Sequence, residues 1–178
     1  MSHGEPPENA YAFRASDSRD AARGAPYHGP VLLEGPGGAR LELSLVGYQF
    51  PEIEDDRWDA NWLVVRIAAI DDPDSWTAED PCLLTWEVDA LADWLDAVAA
   101  ASSPVARLEF VEPNLVFERI EENGAGVRVW FDLEFRPSGI SEDEDLLIDF
   151  PVTPDALRAA AASLRAQRER FPVRGRGA

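Results

Sequence analysis

Residues 40–70 read RLELSLVGYQFPEIEDDRWDANWLVVRIAAI, and their pattern decides the fold. Over Arg40–Gly47, Leu41, Leu43 and Leu45 fall on one face, and Arg40, Glu42 and Ser44 on the other. Over Asn61–Ile70 the alternation returns, with Leu63, Val65 and Ile67 opposed to Trp62, Val64 and Arg66. A period of two marks strands that lay one face on a core. Between them lies Tyr48–Trp62, which holds five acids, two Trp, one Tyr and one Phe. A connection so acidic and so aromatic is the first candidate for a functional surface.

Upstream, Val31–Glu34 is a short strand, and Gly35–Gly38 (GPGG) is a turn that makes a hairpin with Arg40–Gly47. Downstream, Asp71–Asp74 with Pro73 is a turn. Ser75–Thr77 reads as a short strand, Asp80–Pro81 as a break, and Cys82–Val88 as a further strand. Asp89 is the expected N-cap of a helix over about 90–101, whose Leu91, Trp94, Leu95 and Val98 share one face. Three strands follow at Ala106–Val111, Asn114–Glu121 and Val127–Arg136, the last with Val127, Val129, Phe131, Leu133 and Phe135 inward. Asn123–Gly126 is a hairpin loop, because Asn and Gly tolerate positive φ. Pro137–Asp145 is an exposed loop, and Leu146–Phe150 is a strand. Thr153-Pro154-Asp155 then opens a helix, with Leu157, Ala161, Leu164 and Phe171 as its apolar stripe.

The sum is an α+β fold: a mostly antiparallel sheet of about eight strands, one inserted helix (about 90–101) and a C-terminal helix (about 154–171). Residues 1–29 are polar and aperiodic, which predicts a poorly ordered leader. Residues 30–172 form a single domain, and 173–178 a basic tail.

Charge narrows the function. The chain of 178 residues has a formal net charge of −18. The acidity belongs to the middle, where residues 52–149 carry 26 acids against 6 Arg, a net of −20. Such a surface repels phosphate, which argues against nucleic acid and anionic membranes as partners. It favours a basic protein. Both histidines, His3 and His28, lie in the leader, so the folded part offers no Ser–His or Cys–His pair. The single cysteine, Cys82, sits on the apolar phase of a strand and reads as a buried structural thiol. No zinc-type cluster, EF-hand loop or phosphate loop is present. No catalytic residue, metal or cofactor is therefore expected. Trp86 and Trp94 fall on apolar phases, whereas Trp58, Trp62 and Trp130 share phases with charged residues. Aromatics ringed by acids have the composition of a protein-binding patch.

Five segments resemble one family: GYQFPEIEDDRWDANWL (47–63), DPCLLTWEVDALADWL (80–95), FVEPNLVFE (110–118), LEFRP (133–137) and LIDFPVTPDALRAAAASLRAQRERFP (147–172). They are similar to the WapI-type immunity proteins of contact-dependent polymorphic toxin systems. The resemblance implies a cytoplasmic bacterial protein that binds and blocks the C-terminal toxin domain of a cognate effector. In the best-known system of this type the toxin attacks tRNA. An inhibitor of a basic, RNA-gripping cleft can place carboxylates where phosphates would lie. On that model Glu52, Glu54, Asp55, Asp56 and Asp59 form one acidic edge with Trp58 as anchor, and Glu142, Asp143, Glu144 and Asp145 form another. A monomer is the default state. Two alternatives stay open: the acidic stretch is a structural connection with the contact surface elsewhere, or the protein is a generic acidic binding or scaffold domain without a toxin partner.

Overall fold

A computed structural model describes residues 29–120, 126–141 and 143–175. The predicted leader through residue 28, residues 123–125 of the predicted hairpin loop, and Glu142 lie outside the described residues. The order is β1 (Val31–Glu34), β2 (Arg40–Tyr48), β3 (Trp62–Asp71), β4 (Asp74–Leu84), α1 (Thr85–Ala99), β5 (Arg107–Leu108), β6 (Leu115–Ile120), β7 (Gly126–Phe131), β8 (Leu147–Phe150) and α2 (Pro154–Arg168). The α+β class with antiparallel strands and two helices holds. The strands divide into two four-stranded sheets, β1-β2-β3-β4 and β5-β6-β7-β8.

The alternation at residues 40–70 does what its period dictates. Leu41, Leu43, Leu45, Leu63, Val65 and Ile67 are all buried, none more than 3 % exposed. On the second sheet Phe117, Val127, Val129, Phe131, Ile148 and Phe150 join the same apolar cluster. The stripe of α2, Leu157, Ala161 and Leu164, closes over it, as do Leu91, Leu95 and Val98 of α1. Burial on this scale is the main force holding the two sheets and two helices together.

A bulge opens in β2, where Leu45 pairs with Val65 but Gly47 with Val64. Gln167 of α2, only 4 % exposed, serves the backbone there. Its Oε1 accepts from Leu45 N at 2.7 Å, and its Nε2 donates to Leu43 O at 3.4 Å. A buried amide thus pins the last helix to the strand that leads into the acidic connection.

Six sequence expectations need correction. Asp80-Pro81 does not break the chain: β4 runs through it to Leu84. β4 is an edge strand with a bulge between the Leu63–Leu83 and Val64–Pro81 pairs, and both features tolerate the missing proline N–H. The first helix starts at Thr85 and ends at Ala99, not over 90–101. Asp89 is not its cap; Glu87 curls back and its Oε2 accepts from Leu84 N at 2.8 Å, so capping occurs one turn earlier. The strand predicted to reach Arg136 stops at Phe131. There Asp132 Oδ1 accepts from Leu133 N at 2.8 Å, and Leu133 takes φ 49°, which turns it outward to 48 % exposure while Phe135 stays buried. The strand predicted at 106–111 pairs only over Arg107–Leu108. The last helix ends at Arg168, after which Phe171 folds back onto the core.

Trp94 is 5 % exposed, packs edge-on to Phe117 at 6.4 Å, and donates from Nε1 to Val105 O at 3.0 Å. Replacing Trp94 with Ala is expected to cost about 3–5 kcal/mol of folding stability, read from urea unfolding.

Candidate functional site

The acidic connection is a loop whose backbone is hydrogen-bonded at several points and whose acidic side chains face solvent. Glu52, Glu54, Asp55, Asp56, Trp58 and Asp59 are all exposed. Asp56 differs from the others, because its Oδ1 accepts from Trp58 N and Asp59 N, each at 2.7 Å. That Asx-type cap starts the 3-10 turn Asp59–Asn61, so Asp56 shapes the loop. Among the described residues no ion pair joins Glu52, Glu54, Asp55 or Asp59 to a cation. Trp58 stands 49 % exposed, with its ring edge-on to Trp86 at 5.5 Å and the Arg57 guanidinium 5.8 Å from its centre. It is held from below and open above. Trp86, expected in the core, is instead the half-buried floor under Trp58.

Asn61, fully buried, is the anchor of this loop. Its Nδ2 donates to Arg57 O at 2.9 Å and to Arg174 O at 2.8 Å. Its Oδ1 accepts from Thr85 Oγ1 at 2.8 Å and from Arg174 N at 2.9 Å. Both donors and both acceptor sites of the amide are used. Arg174 continues the grip: Nη1 donates to Pro51 O at 2.9 Å and Ile53 O at 3.2 Å, while the guanidinium lies 3.6 Å from the Tyr48 ring centre. Gly175 N donates to Glu54 O at 2.8 Å. Neither Asn61 nor Arg174 was legible as part of the site, since they lie 113 positions apart and neither stands in a local motif.

The second predicted edge is built differently. Asp143, Glu144 and Asp145 are exposed, and Glu142 lies outside the described residues. Arg136 anchors their loop by donating from Nη2 to Ser141 O at 2.5 Å and to Glu144 O. Among the described residues no hydrogen bond or ion pair links this edge to the first.

A third acidic cluster was missed by sequence reasoning. Asn114, 1 % exposed, donates from Nδ2 to Asp80 Oδ2 at 3.3 Å and Glu134 Oε2 at 3.2 Å. Burial, then the charges of Glu134 and Glu112, push the Asp80 carboxyl above its usual range, against the Asn114 hydrogen bond. Cys82 is 1 % exposed, and burial pushes its thiol up, which leaves it inert. An apolar groove of about 570 Å³ also runs between β1 and α2, lined by Pro30, Leu32, Val152, Ala156 and Ala160. No helix among the described residues is long and apolar enough to cross a membrane.

Free carboxylates on a locked backbone, with an exposed tryptophan beside them, have the chemistry of a surface that binds a basic protein. The family model described as the immunity protein WapI-like family matches residues 32–172. The chain belongs to that family. No curated protein and no solved structure matches it.

Two outcomes follow from these contacts. Asn61→Ala leaves the Arg174 N–H, the Thr85 hydroxyl and two carbonyls without their partner, so unfolding free energy should fall by about 2–4 kcal/mol in urea titration. Asp80→Asn removes a charge that the fold disfavours. A carboxyl with a raised folded pKa binds its proton more tightly when folded, so the parent gains stability as pH falls through that raised range. The variant should therefore melt above the parent at pH 7, and the gap should close on acidification.

Proposed function

We propose that this protein is a non-catalytic, cytoplasmic immunity protein that binds a cognate toxin domain and blocks it through the acidic loop between β2 and β3. Membership in a family of immunity proteins supports the inhibitory role. The observation that carries the choice of surface is the exposed, unpaired state of Glu52, Glu54, Asp55 and Asp59 around Trp58 on a backbone already fixed. The partner is a basic protein surface, and a nuclease cleft built to hold RNA phosphates fits that description. Carboxylates fill the phosphate positions, and Trp58 supplies an apolar anchor that enters the cleft beside them. The edge at Asp143–Asp145, with Glu142, adds to the same acidic field. The protein acts as a monomer against one toxin domain.

Unpaired surface acids cost a fold little when neutralised and cost a charge-steered complex much. Asp55→Asn combined with Asp59→Asn should leave the melting temperature within about 2 °C of the parent. It should weaken binding to a toxin domain that co-purifies with this chain by about 10–100-fold in calorimetry. Raising salt from low to physiological strength should slow association more than it speeds dissociation. Unchanged affinity in the double variant, or a complex indifferent to salt, contradicts this assignment.

A further inference from the structure

Five carboxylates between Glu52 and Asp59 repel one another, and the loop has little structure of its own to resist them. Among the described residues its internal ties are Ile53 N to Phe50 O at 3.2 Å, the two bonds to Asp56 Oδ1, and Asn61 N to Trp58 O at 3.0 Å. From α1, Thr85 Oγ1 donates to Asn61 Oδ1 and Trp86 packs against Trp58; further ties come from the segment that follows α2. Tyr48 Oη donates to Pro172 O. Arg174 holds the carbonyls of Pro51 and Ile53, Gly175 N holds that of Glu54, and Asn61 joins Arg174 to the Arg57 carbonyl. Gly175 has φ 73°, and a Cβ there would fall 2.7 Å from Asp56 O. Only glycine lets the two backbones approach so closely.

We propose that Pro172–Gly175 is a strap that sets the conformation of the acidic loop, which makes Arg174, Gly175 and Asn61 positioning residues for partner binding. The inference rests on the loop being the partner surface. The strap works through its choice of acceptors. Arg174 spends donors on backbone carbonyls, so its charge offsets the repulsion in the loop without covering a carboxylate. The loop then meets its partner already ordered, and the ordering entropy is not charged against binding. Arginine suits the task because its Nη1 donates to both carbonyls while the planar face of the guanidinium lies over the Tyr48 ring.

The test uses Arg174→Gln, Arg174→Lys and Gly175→Val in the full chain, with two readouts. The first is amide hydrogen exchange of the free protein; the second is affinity for a catalytically inactivated toxin domain that co-purifies with this chain. In Arg174→Gln and Gly175→Val, amides 53–61 should exchange about tenfold faster or more, while those of β3 keep their protection. Affinity should drop about tenfold, with Arg174→Lys in between. Gly175→Val touches no core residue, so it remains informative if an Arg174 variant folds poorly. Unchanged loop exchange in both variants overturns the strap itself. Faster loop exchange with unchanged affinity overturns the proposal through the reading beneath it, since the loop would then not be the partner surface.

Discussion

The four hydrogen bonds of Asn61 are the constraint on which the candidate site depends. They tie together three places distant in sequence: the loop at Arg57, the first turn of α1 at Thr85, and the segment at Arg174. A buried amide with every donor and acceptor used is stable only in one arrangement of its neighbours, because a lost partner leaves a polar group stranded without water. That arrangement fixes where β3 begins and how the acidic connection leaves β2. Thr85 carries the constraint further, since its carbonyl accepts from Arg168 Nε at 2.8 Å and so couples both helices to the same point.

Two groups of arginines do different work. Arg165 bridges Asp93 at 2.8 Å and Asp96 at 2.7 Å, and Arg128 pairs with Asp149 at 2.6 Å. These neutralise acids on the helical face and on the second sheet. Arg174 and Arg136 instead donate to main-chain carbonyls of the two acidic loops. The result is a protein whose negative charge is quenched where elements pack and left free where loops face solvent.

Much of this was legible in the sequence. The alternation of Leu41, Leu43 and Leu45 against Leu63, Val65 and Ile67 specified the central hairpin pair, because strand periodicity is a local property. Boundaries were lost where a side chain overrode local pattern: Glu87 capping one turn early, Asp132 ending β7, and an edge position excusing Pro81. The strap was invisible, since its contacts join residues more than 110 positions apart and follow from tertiary placement alone. The structure separates the two kinds of residue within Tyr48–Trp62. Asp56, Asn61 and the loop carbonyls hold the structure, while Glu52, Glu54, Asp55, Asp59 and Trp58 face outward from it.

The central claim is that this outward face meets the toxin. A photoreactive residue substituted for Trp58, and separately for Leu32 in the apolar groove, tests it directly by cross-linking to a toxin domain that co-purifies with the chain. An adduct from position 58 and none from position 32 is the expected result. An adduct from position 32 alone would contradict it and move the interface to the face between β1 and α2.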